Sequence, residues 1–222
     1  MGILYIVATP IGNLGDITLR ALEILKESDI ILCEDTRKTS ILLDHYKIKK
    51  SLVSYHQHSQ VTKVDYIIER LKEGKKLALV SDAGTPSISD PGGKLVEEVG
   101  KIKEINIIPI PGPSAITCAL SASGLISDKF IFLGFLPTKK GRETVFREIK
   151  EEKKTIVFYE SVYRIIKTLK SLDIDNRKVV VCRELTKKFE EIVRGTSKEV
   201  LNYFEDNKDK IKGEFVVIIE GK

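Results

Sequence analysis

KLALVSDAGTPSISDPGG, Lys76 to Gly93, is the stretch on which the fold turns. Residues 77–80 are a continuous apolar run and read as a buried strand. Two aspartates, three glycines, two prolines and several small hydroxyl residues follow Leu79, and a helical pattern resumes at Lys94. Strand-to-helix connections in α/β units usually take about two to six residues. This one is longer and nearly free of large side chains. Glycines let a backbone approach a ligand closely, and prolines hold a loop preformed.

The same strand-then-helix rhythm extends outward in both directions. Strand-like runs at 3–8, 30–33, 52–55, 76–81 and 105–110 alternate with helical patterns at 18–27, 40–46, 61–72 and 114–123. Such alternation predicts a mostly parallel sheet flanked by helices. After Gly124-Leu125 the rhythm changes. Strands are expected at 130–135, 155–159, 179–182, 190–194 and 214–220, with only three helices among them, at 144–152, 163–171 and 198–207. A mixed sheet with some antiparallel pairing is predicted there. The chain therefore reads as two α/β domains, residues 1–124 and 125–222.

At 222 residues, with 42% hydrophobic and 31% charged, the composition is that of a globular chain, not a disordered one. The longest apolar runs are strand-sized, so no membrane span is expected, and no basic n-region precedes residues 3–7. Cys33, Cys118 and Cys182 are far apart in apolar segments, an odd number without metal-ligand spacing. They read as buried free thiols in a reducing compartment, and a cytoplasmic location is expected. The net charge of +5 permits a polyanionic partner without demanding one.

Three loops of the first half share one character: Thr9 to Asp16, Asp82 to Gly93 and Pro111 to Ala115. In parallel sheets ligands bind beyond the carboxyl ends of strands. One Gly/Pro-rich loop is commonly just a turn, but three at one sheet edge favour a ligand site. Neither G-x-G-x-x-G nor G-x-x-x-x-G-K-[ST] occurs, which argues against a dinucleotide or a P-loop phosphate. Ser114, before a helix, can cap it or leave its amides for an acceptor group. Asp82, at a strand end, can receive a ribose or ammonium group or simply brace its loop.

Leu4 to Thr18 (LYIVATPIGNLGDIT) resembles the opening of the ribosomal RNA small subunit methyltransferase I family, within the tetrapyrrole methylase superfamily. Glu34-Asp35-Thr36-Arg37, Ser54-Tyr55-His56, the Val80–Gly93 loop, Pro111 to Ala115 and Gly134-Phe135-Leu136-Pro137 match in order. So do Phe158-Tyr159-Glu160-Ser161, Arg183 to Lys187 and Gly213 to Val216. The resemblance covers essentially the whole chain. It implies a homodimer binding S-adenosylmethionine between its two domains and methylating a cytidine ribose 2′-hydroxyl of small-subunit ribosomal RNA, within the assembled small subunit. Carried over by motif, it implies cofactor contacts at Pro10, Asp82, Gly84, Thr85, Ser114 and Ala115, with Tyr159, Glu160 and Leu185 from the second domain.

A ribose hydroxyl is a poor nucleophile, so a base or cationic neighbour helps. Asp35 as base, Arg37 as an orienting cation and Glu34 beside them are the candidates; an ion-pair network is the structural alternative. Lys139, Lys140, Arg142 and Arg164 are candidate RNA contacts, against the plainer reading of a solvated basic face. His56-Gln57-His58 puts two imidazoles on one face of a strand, but no third ligand is near, so no metal is expected. Two departures from the family stand out. Ser161-Val162-Tyr163-Arg164 replaces its usual Ser-Pro-His-Arg, and many relatives continue beyond the equivalent of Gly213-Glu214-Phe215 into a helical extension. The rival readings are a tetrapyrrole, other small-molecule or protein methyltransferase of the superfamily, and a non-catalytic ribosome-binding module.

Overall fold

The structure, a computed structural model, describes residues 1–56, 61–90, 92–174 and 176–222. The chain divides into two units, Met1–Ser114 and Ala115–Lys222. In the first, β1 (Gly2–Val7), β2 (Ile30–Cys33), β3 (Ser51–Ser54), β4 (Lys76–Leu79) and β5 (Ile105–Ile110) form one sheet in the order β3-β2-β4-β1-β5. Every pairing in it is parallel. The connecting helices are α1 (Leu19–Glu27), α2 (Thr36–His45), α3 (Val61–Lys72) and α4 (Gly93–Gly100).

Both faces of this sheet are buried, which is why its strands read as apolar runs without alternation. On one face Tyr5, Val7, Ile31 and Ala78 pack with Ala21 and Leu25 of α1 and Leu43 of α2. On the other, Leu4, Leu32, Leu77 and Leu79 pack with Ile67 and Leu71 of α3 and Leu95 and Val99 of α4. The chain thus leaves β1 and β2 toward one face and β3 and β4 toward the other. Because β4 lies between β1 and β2 while its chain turns to the opposite face, this carboxyl edge is a topological switch point.

The second unit holds α5 (Ala115–Ser123), β6 (Phe130–Phe135), α6 (Arg142–Glu151), β7 (Thr155–Ser161) and α7 (Ile165–Ser171). It continues through β8 (Lys178–Arg183), β9 (Glu191–Thr196), α8 (Ser197–Asp206) and β10 (Glu214–Ile219). The sheet order is β6-β7-β10-β8-β9; β6 and β7 are parallel and the other pairs antiparallel, the mixed sheet expected. Its core joins Ile156, Phe158, Phe215 and Val217 of the sheet to Ile149, Ile165, Leu169 and Phe204 of the helices.

Two of the boundaries that differ from expectation have a clear physical reason. α2 begins at Thr36, a turn before residue 40, because the Asp35 side chain accepts from the Arg37 N–H and caps the helix. The expected domain break at 124/125 falls at the far end of α5. That helix packs on β10 and β7 of the second unit, and Arg194 of β9 donates to the carbonyls of Ala122 and Ser123 at its C-terminus. A cation there also complements the helix dipole. Of the described helices, none is long and apolar enough to cross a membrane.

Candidate functional site

The loop after β4 is fastened on both flanks and to the loop after β5. Toward β1, the Thr9 and Gly84 backbones exchange N–H···O bonds of 2.9 and 3.0 Å. The Thr9 hydroxyl donates to the Ser81 carbonyl at 3.1 Å in a buried setting. Toward β2, Asp82 Oδ1 accepts from the Asp35 N–H at 3.1 Å and Oδ2 from Lys38 Nζ at 2.7 Å. Toward β5, the Thr85 hydroxyl donates to the Pro113 carbonyl at 3.2 Å. Gly84 has φ +82, and a Cβ there would lie 3.4 Å from Ile11 Cγ2 and 3.8 Å from the Pro113 carbonyl. Only glycine takes this backbone without strain.

Pro10, Asp82, Gly84 and Thr85 are therefore gathered at one edge of one sheet. Ser114 ends the first unit and Ala115 opens α5. Asp82 braces: both of its oxygens are engaged by the start of α2. Further along, Asp90 Oδ1 accepts from the N–H groups of Ser87 and Gly92 at 3.2 and 3.1 Å, closing a turn. Ser87 (φ 72) and Ser89 (φ 60) are left-handed non-glycine residues. Such strain persists only where surrounding bonds over-determine the backbone, and it gathers at ligand sites.

The two carboxylates after β2 differ sharply. Asp35 is chelated by Arg37, with Oδ1 accepting from Nε at 3.0 Å and Oδ2 paired with the terminal nitrogen at 2.7 Å. These bonds to Arg37 hold its carboxyl well below the usual range. Glu34 is shifted upward, first by burial and then by the carboxylates of Asp82 and Asp90. Three carboxylates, Glu34, Asp82 and Asp90, thus gather at this loop edge, Asp82 being paired with Lys38. Arg37 itself is 89% exposed in its side chain.

In the second unit, Tyr159 is half-buried on β7, and burial raises its hydroxyl pKa. The Glu160 side chain is wholly buried. It pairs with Arg164 at 2.8 Å and accepts from the Ser161 N–H at 2.7 Å and the Thr168 hydroxyl at 2.6 Å. Arg142 joins by donating to Thr168 Oγ1 at 2.9 Å and to the Pro137 carbonyl at 3.2 Å. Of the four expected RNA contacts, Lys139 and Lys140 are exposed, whereas Arg142 and Arg164 turn into this network. Leu185 is buried between Glu184 (φ 51) and Thr186 (φ 65), a second strained loop.

Sequence reasoning set Thr9 and Asp90 within the Gly/Pro-rich loops without naming their bonds, and missed Lys38. Asp90, two residues before Gly92, carried an Asx-turn signal; the bonds of Thr9 and Lys38 act across the sheet and carried none. Of the candidate metal motif, Gln57 and His58 lie outside the described residues. Among the described residues no cluster of three potential metal ligands occurs. Cys33 and Cys182 are buried, and burial pushes the Cys182 thiol up to about 12.

Residues 3–201 match the family model described as Tetrapyrrole (Corrin/Porphyrin) Methylases. The chain is 52% identical over 224 residues to the protein named ribosomal RNA small subunit methyltransferase I of Halalkalibacterium halodurans, covering 99% of this chain and 76% of that one. It is 48% identical to the protein of the same name from Thermotoga maritima, covering 100% of both. Among solved structures, a diphthine synthase superposes with TM-score 0.77 at 15% identity, covering 99% of this chain and 90% of that one. A cobalt precorrin-4 methyltransferase superposes with TM-score 0.69 at 20% identity, covering 98% and 94%. At these identities the structural likenesses establish the fold alone.

Proposed function

Since the chain belongs to the tetrapyrrole methylase family and, within it, to the ribosomal RNA small subunit methyltransferase I proteins, we propose that it methylates small-subunit ribosomal RNA, on a cytidine ribose 2′-hydroxyl, with S-adenosylmethionine as donor. The observation that carries this reading is the full-length similarity to proteins of that name, which spans every loop at the carboxyl edge of the first sheet. The family resemblance further supports a cytoplasmic homodimer acting on the assembled subunit.

The loop architecture fits the donor. When bound, S-adenosylmethionine supplies a methyl group activated by its sulfonium. The Gly84 backbone, bare of side chain and pinned by Thr9 and Thr85, offers close approach. Glu34 and Asp90, beside the Lys38-paired Asp82, add carboxylates whose sign suits a cation. Because the loop is bonded on each side, its dipoles need little reorganisation, and alignment is the main contribution such a site makes.

We assign proton acceptance to Glu34 Oε rather than to Asp35. A base works best with a pKa near the working pH. Chelation by Arg37 moves Asp35 away from that range, while burial and neighbouring carboxylates move Glu34 toward it.

Tritiated methyl transfer tests the reading. Unmethylated small subunits, isolated small-subunit RNA and a porphyrinogen are offered in parallel, and the labelled nucleotide is mapped. Label on a cytidine ribose of the RNA is expected; label on the porphyrinogen, or none on the subunits, refutes the assignment. Gly84→Val should abolish donor binding in calorimetry while the protein stays folded by circular dichroism.

A further inference from the structure

β6 carries a bulge. Phe132 pairs with Val157 and Phe135 with Tyr159, so three steps on β6 face two on β7, and Gly134 (φ 61) absorbs the extra residue. Regular alternation would put Phe132 and Phe135 on opposite faces. The bulge instead brings both rings to Tyr159, at centroid distances of 5.0 and 5.4 Å. Phe135 nonetheless remains 57% exposed, and Tyr163, in the turn after β7, is 93% exposed.

One bond ties together the two segments that carry these exposed rings. Arg164 donates to the Leu136 carbonyl at 2.8 Å, so Phe135 and Tyr163 each sit one residue from that bond. The buried Glu160 carboxylate holds Arg164 at 2.8 Å, and Arg142 holds Pro137. Two residues beyond Pro137, Lys139 and Lys140 are exposed, and neither pairs with a carboxylate among the described residues. The buried network thus ties the segment of Phe135, Lys139 and Lys140 to the turn that carries Tyr163.

We propose that Phe135, Tyr163, Lys139 and Lys140 form a platform for an unpaired segment of the RNA substrate, the rings stacking on bases and the lysines meeting phosphates. This rests on the RNA-methylation reading above. A second copy of the chain suits the surface less well, because a two-fold interface sets a patch against itself and would oppose lysine to lysine.

The chain contains no tryptophan, so Tyr163→Trp in the full-length protein gives a single indole reporter. A short single-stranded RNA oligonucleotide should quench its emission, and a duplex hairpin of equal charge should not. Tyr163→Ala and Phe135→Ala should each weaken single-strand binding roughly 5- to 150-fold and leave duplex binding unchanged. Lys139→Ala with Lys140→Ala should flatten the log-log salt dependence by about 1.4. Absence of oligonucleotide binding, or binding with unchanged emission, overturns the platform. So does an emission shift that grows with protein concentration alone, with dimers lost in the alanine variants, which marks a subunit interface. Methyl transfer to small subunits separates the two readings. Normal transfer with unaltered oligonucleotide binding in the alanine variants removes only the platform, whereas quenching without any transfer removes only the methylation reading.

Discussion

Glu34 and Asp35 are neighbours of the same chemical type in opposite electrostatic circumstances. Glu34 titrates above its ordinary value of 4.5, so between that value and its native one the folded protein holds a proton that the unfolded chain has released. Its contribution to stability is therefore full below pH 4.5 and lost as pH rises through the native value. Glu34→Gln should raise Tm at neutral pH, with the advantage vanishing below pH 4.5 in a calorimetric pH series, while slowing methyl transfer. Asp35 runs the other way: its contribution is present above the usual carboxylate range and lost as pH falls through its depressed value. Asp35→Asn keeps a capping acceptor and should retain turnover. Asp35→Ala should lose stability through the cap, read by urea denaturation. Loss of turnover in Asp35→Asn with donor binding intact would return the base to Asp35. The residue types were legible in the sequence, but their opposite pKa shifts were not. They arise from Arg37 folding back on one carboxylate and from burial, then Asp82 and Asp90, acting on the other, and the latter requires the sheet.

Between β7 and α7 the decisive feature is a charge buried on purpose-built partners. The sequence suggested Glu160 and Arg164 as cofactor and RNA contacts; the structure shows them paired to each other, with Thr168 and Arg142 completing the set. The i,i+4 spacing of the pair was visible, but the burial of Glu160 depends on α7 packing over the strand. Removing one partner from a buried pair is costly, while replacing both with apolar groups often is not. Arg164→Met should lower stability by about 3–5 kcal/mol, and Glu160→Leu combined with Arg164→Met should recover most of it. Equal losses in single and double variants would show that the pair itself, not the stranded charge, matters. The strand and helix spans were largely readable, since apolar periodicity and caps are local. Thr196-Ser-Lys-Glu199 shows this, its capping box starting α8 one residue before the expected position.

At the scale of the molecule, the question is which unit owns α5. Gly124-Leu125 looks like a linker in sequence because glycine stops a helix and ends a domain with equal ease. Packing assigns α5 to the second sheet, where Arg194 caps it. A fragment of residues 115–222 should therefore unfold cooperatively in denaturant, whereas 125–222, its sheet stripped of that helix, should show a broad transition with exposed apolar surface. Equivalent sharp transitions would place the boundary at 124/125 after all. The all-parallel sheet, by contrast, needed no tertiary knowledge, because strands buried on both faces and separated by helices have few other solutions.

The sequence by itself determined the alternation of elements, the mixed second sheet, the family and the three loops that meet at one edge, since each depends on periodicity, turn chemistry or ordered motifs along the chain. Only the tertiary structure decided that the Val80–Gly93 loop is stitched to both neighbouring strands, that Asp82 braces rather than stands free, and that Phe135 shares a face with Tyr159. Those outcomes depend on partners 24 to 72 residues apart in the chain. Local sequence sets what a residue can do, whereas contact order this high leaves the sheet to choose its partner.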